Sequence, residues 1–174
     1  KFLKWEGHVL SENWREKETK LTDLLKRLQP ALVIAPHLDD HHPTHVRTSQ
    51  ILTRALAKSR SNTMVAWAEY WNPQPNPNLM IGLSHDTLMK QIHALALHKG
   101  EVARNPYHML LPAWQMDTVR RGSEWLDGAG ALGAPFLYGQ LYRLEKWSQG
   151  KKLRAGFLPS VRGLNSDLSE LLAR

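Results

Sequence analysis

The sequence predicts an α/β fold with a Rossmann-like, partly parallel sheet flanked by helices. An uninterrupted apolar run, Ala31–Ala35, is bounded by prolines, as is typical of a strand buried on both faces of a parallel sheet. A helical pattern over residues 44–59 follows, and then a run rich in Val, Trp and Tyr, Thr63–Trp71. Strand, helix and strand in this order form one crossover unit, which favours a layered α/β sheet over a helical bundle.

Further elements are predicted on both sides of this unit. Residues 11–28 have the pattern of an amphipathic helix, and Ser84 predicts the N-cap of a helix that runs to residue 99. Residues 105–115 contain two prolines and are interpreted as a loop with a short helix. Residues 120–145 are interpreted as a glycine-rich turn and a terminal strand, and 165–174 as a short helix or a frayed end. The leucines expected to face the core in the first helix are Leu21, Leu24, Leu25 and Leu28.

Composition limits the class of protein. The chain has 174 residues, of which 42% are hydrophobic, and this predicts a single α/β domain portion spanning 1–174 with a buried core. It has no cysteine, which excludes disulfides and thiolate metal sites and leaves His, Asp and Glu as metal ligands. No apolar run approaches the roughly 18 residues of a membrane span, and no secretory signal is visible, so a cytoplasmic location is expected.

The charge balance is basic, with a formal net charge of +7. Basic side chains are dispersed, with short concentrations at Arg120-Arg121 and within 151–154. The charge is compatible with an anionic partner, including peripheral contact with a phospholipid membrane. No nucleic acid is expected as a partner, because none of the recognised nucleic-acid motifs is present.

Polar residues cluster directly after the first predicted strand. In open α/β sheets, ligands bind beyond the carboxyl ends of the strands, where this cluster is placed. Imidazoles and carboxylates are good zinc ligands, and zinc makes a bound water a nucleophile near neutral pH. A solvated polar loop has the same composition, so the cluster alone leaves both interpretations open. Its members are His37, Asp39, Asp40, His41, His42 and His45.

The order of these residues resembles a known motif. Asp40-His41-His42-Pro43-Thr44-His45, between a strand and a helix, is similar to the second motif of the PIG-L (LmbE-like) zinc de-N-acetylases, usually Asp-x-His-Pro-Asp-His. The resemblance implies that His45 is a zinc ligand and that His42 stabilises the oxyanion or protonates the leaving amine. Asp40 is a further catalytic candidate. Thr44 departs from the family's Asp, which orients the neighbouring histidines.

The family's first motif, His-Pro-Asp-Asp-Glu, supplies the other His and Asp ligands and an Asp general base. Residues 36–40 resemble it, but a His-Pro pair follows them instead of a glycine-rich turn. We therefore assign residues 36–45 to the second motif. Since the chain begins at Lys1 rather than Met, we expect the first motif to lie in a missing N-terminal segment or on another chain.

Two residues are candidates for substrate binding. Glu69-Tyr70-Trp71 and the proline-rich stretch 72–78 resemble a strand end and loop of the same family, and Trp71 is a candidate to stack on a sugar face. His98 lies on the predicted helix two turns after Lys90, a spacing similar to the family's. The alternative for each is a structural role, which the residue types favour.

The resemblance implies a zinc-dependent hydrolase that removes an N-acetyl group from an N-acetylglucosamine-type sugar conjugate, such as a glycolipid, glycoside or glycopeptide. The alternative is a non-catalytic LmbE-like binding or scaffold domain with an incomplete metal site. A third hypothesis, a nucleic-acid binder driven by charge, predicts salt-dependent binding to unrelated duplexes, which the other two do not.

Overall fold

The computed structural model describes residues 13–153, 160–164, 166, 167 and 169. The chain contains both helices and strands, and the strands pair in both directions, so the predicted α/β class with a partly parallel sheet is confirmed. The elements of the described residues are α1 (Trp14–Leu28), β1 (Leu32–Pro36), α2 (Pro43–Ser59), β2 (Thr63–Ala68), β3 (Leu79–Leu83), α3 (His85–Ala96), α4 (Lys99–Arg104), α5 (Tyr107–Leu126), β4 (Tyr138–Ser148), β5 (Lys151–Lys152) and β6 (Ser160–Arg162).

The chain divides into two compact units by its contacts. Among the described residues, the first unit comprises 13–76, 142–153 and 169, and the second comprises 77–141, 160–164, 166 and 167. The single domain expected for residues 1–174 stays a prediction.

The first unit contains strands in the order β1-β2-β4. The strands β1 and β2 are parallel, with Val33 opposite Val65, and α2 connects them as predicted. The C-terminal part of β4 runs antiparallel to β2, with Glu145 opposite Val65. A tight turn then leads into β5, and its two central residues, Gln149 and Gly150, have φ of 51° and 78°. Positive φ at both central positions is the geometry that matches the twist of a hairpin.

Helices α1 and α2 pack on one face of these strands. The apolar side chains of α2 are buried, and burial of such side chains is the main favourable term in folding; they are Ile51, Leu52, Ala55 and Leu56. The core of this unit consists of Leu25, Ala35, Leu52, Ala55, Leu56, Val65, Trp67 and Trp147.

The prediction that β1 is buried on both faces is wrong. Ala35 is buried, whereas Leu32 and Ile34 point to the opposite face, where Ile34 is 59% exposed. Successive side chains of a strand alternate between faces, and α1 and α2 cover the face of Ala35. Leu28 was expected in the core and is also exposed, because it lies at the last residue of α1.

The second unit contains the N-terminal part of β4 together with β3 and β6, in the order β4-β3-β6. Strands β3 and β6 are parallel, with Met80 opposite Val161, and α3 and α5 pack against each other. The buried core of this unit consists of Met80, Val119, Phe136 and Leu141.

The interpretation of residues 105–115 as a loop with a short helix is wrong for 107–115, which belong to a long helix. Helix α5 begins at Tyr107, directly after Pro106, and continues through Pro112 to Leu126. An internal proline removes one helical hydrogen bond, and the remaining bonds of a 20-residue helix hold the two halves together. The assignment of 120–145 to a turn and strand is therefore wrong for 120–126, which are helical.

Other predicted boundaries need smaller corrections. Ser84 caps α3 as predicted, since its hydroxyl accepts from the backbone N–H of Thr87 at 3.2 Å, but that helix ends at Ala96 rather than at residue 99. Strand β3 was not predicted. Most of the predicted C-terminal segment, 165–174, lies outside the described residues. None of the helices in the described part of the chain is long and apolar enough to cross a membrane.

Candidate functional site

The polar loop after β1 is fixed to the start of α2. His42 is the N-cap of α2 and Pro43 is its first residue, where a missing backbone N–H costs no hydrogen bond. The fully buried Ser49 donates its hydroxyl to the carbonyl oxygen of Pro36 at 2.6 Å. This contact ties the second turn of α2 to the end of β1, and it places His45 directly beside the strand end.

Asp40 is the buried charge of this loop, and both of its carboxylate oxygens have partners. Oδ1 accepts from the backbone N–H of His42 at 2.7 Å and from Nδ1 of His45 at 3.2 Å. Oδ2 accepts from the backbone N–H of Trp71 at 3.1 Å. Burial by itself would raise the pKa of Asp40, but these hydrogen bonds outweigh it and hold the pKa below its ordinary value. Asp40 is therefore ionised and acts as an acceptor.

The contact with Asp40 orients the imidazole of His45. An ionised carboxylate keeps the proton of a neutral imidazole on the nitrogen that faces it, which here is Nδ1. In the neutral form of the ring, Nε2 then carries the free lone pair, and the side chain of His45 is one quarter exposed. A carboxylate behind one ring nitrogen is the usual arrangement of a histidine that binds metal through the other.

Aromatic rings extend on both sides of His45. The ring of His42 lies 4.9 Å from that of His45, and the ring of Tyr70 lies 5.0 Å from it in an edge-on geometry. Partial desolvation and the charge of Asp40 raise the pKa of Tyr70, so its hydroxyl stays protonated and can donate a hydrogen bond. The result is a row of three rings of which His42 and Tyr70 are exposed.

A second loop, residues 69–74, meets the polar loop at three hydrogen bonds. Besides the bond from Trp71 to Asp40, Nε2 of His37 donates to the carbonyl oxygen of Asn72 at 2.8 Å. The side-chain amide of Asn72 donates to the carbonyl oxygen of Asp39 at 2.6 Å. These contacts bring the end of β1 and the segment after β2 together at one edge of the first unit.

Comparison with solved structures identifies a similar fold. The N,N'-diacetylchitobiose deacetylase from Pyrococcus horikoshii, in complex with its inhibitor MPG, superposes with a TM-score of 0.54 and 20% identity over 75% of this chain. The likeness establishes the fold. A conserved protein from Thermus thermophilus has a TM-score of 0.49 and 19% identity, over 74% of this chain and 57% of its own. The chain spans about half, 51%, of the deacetylase's length. The sequence matches no family model and no curated protein.

His45 has the donor chemistry that zinc requires. Zinc binds imidazole nitrogen readily, and a catalytic zinc site uses three protein ligands with one open position. Within the described ranges, no group of three or more His, Asp or Glu side chains is arranged to hold a metal ion. These residues therefore supply one oriented histidine, and zinc as the cofactor stays a prediction.

The structure brings three of the predicted site residues together. Asp40, His42 and His45 lie side by side, and Trp71 joins them through its backbone N–H while its side chain is half exposed. His98 belongs to the second unit, where it is the exposed N-cap residue of α4. The functional roles predicted for these residues stay predictions.

Other expectations for this loop have a structural answer. The carboxylate that orients His45 comes from Asp40, so the threonine at position 44 does not leave His45 without an orienting partner. His37 is buried and bonds to the second loop. Tyr70 and Asn72 were not proposed as site residues. The sequence signal for them was their position directly after a buried strand, where chains in α/β folds present binding residues.

Proposed function

We propose that this chain belongs to a zinc-dependent hydrolase of the PIG-L (LmbE-like) type, which removes the N-acetyl group from an N-acetylglucosamine-type sugar conjugate. The observation that carries the proposal is the pair of buried Asp40 and His45 at the end of β1, with His42 beside it. The fold, which is similar to that of a deacetylase, supports the same conclusion.

Asp40, His42 and His45 have distinct roles in this proposal. His45 would hold zinc through Nε2, and a bound zinc ion polarises the acetyl carbonyl and lowers the pKa of water. Asp40 orients His45 through a carboxylate whose two oxygens accept three hydrogen bonds, and it remains a catalytic candidate. His42, exposed at the start of α2, stabilises the oxyanion or protonates the leaving amine.

The substrate side of the proposal rests on aromatic side chains. Tyr70 and Trp71 are 57% and 47% exposed beside the polar loop, and exposed aromatic faces stack well on apolar faces of ligands. A sugar ring carrying the N-acetyl group would contact them. His98 remains a candidate for substrate binding on the family resemblance alone.

Acetate release tests the proposal directly. The protein as purified, with any chain that co-purifies, is incubated with N,N'-diacetylchitobiose and zinc. We expect acetate release by the unmodified protein, about one zinc per chain by elemental analysis, and a drop in kcat of about 100-fold or more in His42→Ala. His45→Ala is expected to lose both zinc and activity.

His41→Ala is the matched control, because His41 is an exposed histidine in the same loop. An equal loss of activity in this variant would contradict the assigned roles of His42 and His45. Absence of acetate release, with N,N'-diacetylchitobiose still bound, would favour the non-catalytic binding domain instead.

A further inference from the structure

Asn72 bonds to the polar loop at two separate points. Its backbone carbonyl oxygen accepts from Nε2 of His37, and its side-chain amide donates to the carbonyl oxygen of Asp39. The two partners stand on either side of residue 38, so the loop is held at two points rather than by a single contact that could pivot. The chain separates Asn72 from Asp39 by 33 residues.

The burial of His37 makes its hydrogen bond to Asn72 energetically important. The residue is 3% exposed, and its Nδ1 is buried without a hydrogen-bond partner among the described residues. A buried nitrogen without a partner is unfavourable, so the bond from Nε2 to Asn72 is the polar contact that this ring retains. Because a carbonyl oxygen can only accept, Nε2 carries a proton that is directed at the second loop.

The two hydrogen bonds of Asn72 also position its neighbours in the chain. The backbone N–H of Trp71 reaches Oδ2 of Asp40, and the ring of Tyr70 stands against His45. A further bond, from the N–H of Gln74 to Oε1 of Glu69 at 2.7 Å, closes the second loop on itself. The exposed aromatic pair thus lies on a short loop that two hydrogen bonds at Asn72 and one at Trp71 attach to the site.

We propose that Asn72 is a positioning residue, which holds Tyr70 and Trp71 against the Asp40–His45 pair by joining the 69–74 loop to the 37–42 loop. The hydrogen bonds by which Asn72 links the two loops do not depend on any reaction. Its effect on substrate rests on the proposed function, in which Tyr70 and Trp71 contact the sugar.

Hydrogen exchange at the backbone amide of Trp71 tests the contact between the two loops without any substrate. This amide is protected while it donates to Asp40, so its protection factor measures how often the two loops separate. Asn72→Asp keeps the shape of the side chain but turns the donor into an acceptor that faces the carbonyl of Asp39. We expect the protection factor of Trp71 to fall about fivefold in Asn72→Asp and in Asn72→Ala, the change that corresponds to one hydrogen bond.

Two controls separate positioning from general destabilisation. Asn76→Asp makes the same chemical change at an exposed position in the same proline-rich stretch, and it is expected to leave the amide of Trp71 unchanged. The amide of Val65, in the centre of β2, is expected to keep its protection in all variants. Unchanged exchange at Trp71 in both Asn72 variants, or an equal loss at Val65, would overturn the proposal.

A kinetic measurement tests the effect on substrate. With N,N'-diacetylchitobiose, Asn72→Asp is expected to raise KM about fivefold with a smaller change in kcat, since it displaces residues that bind rather than react. An active protein whose KM is unaffected by Asn72→Asp would overturn the role in substrate positioning. An inactive unmodified protein would contradict the proposed function, while the exchange result would still decide whether Asn72 joins the loops.

Discussion

At the scale of single residues, Asp40 shows how one buried carboxylate can organise a loop. Its hydrogen bonds reach the N-cap of α2, the ring of His45 and the segment after β2. Charged groups accept hydrogen bonds more strongly than neutral ones, which offsets the unfavourable burial of the charge. The loop conformation therefore depends on the charge of Asp40 as well as on its shape.

Asp40→Asn tests this dependence. We expect the free energy of unfolding to fall by about 1–3 kcal/mol, because an amide nitrogen would face backbone N–H donors that now bond to a carboxylate. Asp39→Asn is the control, since Asp39 is the exposed neighbour, and an exposed substitution of this kind changes stability by about 0.5 kcal/mol or less. Urea denaturation of both variants measures the difference, and equal effects would contradict the special role of Asp40.

The pH dependence of stability follows from the same carboxylate. The pKa of Asp40 is lower in the folded chain than in the unfolded chain, so the unfolded state binds its proton first as the pH falls. The contribution of Asp40 is therefore complete above the unfolded-state pKa of about 3.9, and it is lost as the pH falls through the folded-state pKa. Denaturation curves between pH 6 and pH 2, approximate limits set around that pKa, are expected to show a shallower loss in Asp40→Asn than in the unmodified protein.

The sequence predicted part of this site, and the reason is local. Asp40, His42 and His45 lie within six consecutive positions, and the helix start at Pro43 fixes their relative directions. Tyr70 and Asn72 come from a loop about thirty positions away, and their contacts depend on the parallel pairing of β1 with β2. Sequence patterns indicate that such strands exist, but the conformation of the loops after them is set by individual hydrogen bonds.

At the scale of elements, α5 shows where periodicity fails as a guide. Pro112 interrupts the pattern that would have predicted a 20-residue helix, and the structure continues through it. In contrast, α2 lacks internal breakers and its bounds were predicted to within one residue. The run of β3 is as long as the one that predicted β1, but it contains Gly82, and glycine is depleted in strands.

Gly122 allows α5 to approach the strands of the second unit. A Cβ at this position would lie 2.5 Å from Sδ of Met80 and 2.9 Å from Cδ2 of Leu141, and both of these side chains are buried. An alanine in a helix is ordinarily favoured over glycine by about 0.5–1 kcal/mol. Here we expect Gly122→Ala to destabilise the chain by about 1–3 kcal/mol instead, because the core has to move to admit the methyl group.

Gly100→Ala is the matched control for this prediction. Gly100 lies in α4, and a Cβ there would meet nothing within 4 Å, so the substitution is expected to stabilise the chain by up to about 1 kcal/mol. Thermal unfolding of both variants would show opposite shifts of Tm. Shifts of the same sign would mean that packing against Met80 and Leu141 does not limit the position of α5.

At the scale of the whole molecule, the two units are divided at boundaries of different kinds. The chain passes from the first unit to the second between Asn76 and Pro77, within the proline-rich stretch 72–78, and returns between Leu141 and Tyr142, which are consecutive residues of the continuous strand β4. The boundary inside β4 carries no Gly-, Pro- or Ser-rich linker, and because such linkers are the signal that sequence analysis uses, composition could mark only the first boundary. The fold class was accessible because it depends on the order of elements rather than on where contacts divide.

The basic charge of the molecule is partly neutralised where it is most concentrated. Both arginines of the Arg120-Arg121 pair bond to Asp117, and Arg120 also bonds to Glu124. In the first unit, Lys152 donates to the largely buried carboxylate of Glu145 at 2.8 Å. A duplex would have to compete with these acidic partners for the basic groups, so the net charge of +7 overstates the attraction for phosphate.

We therefore expect weak binding to unrelated duplex DNA, with a dissociation constant above about 10⁻⁴ M at physiological salt, the weak limit of non-specific binders. Fluorescence anisotropy with a labelled duplex, repeated over a series of salt concentrations, measures both affinity and salt slope. The double variant Asp117→Asn, Glu124→Gln removes the acidic partners of Arg120 and Arg121, and it is expected to bind more tightly and with a steeper salt dependence, because the freed guanidinium groups then displace counterions from phosphate. Tight, strongly salt-dependent binding by the unmodified protein would instead favour the nucleic-acid hypothesis. It would also show that the ion pairs of Arg120 and Arg121 do not weaken binding to phosphate.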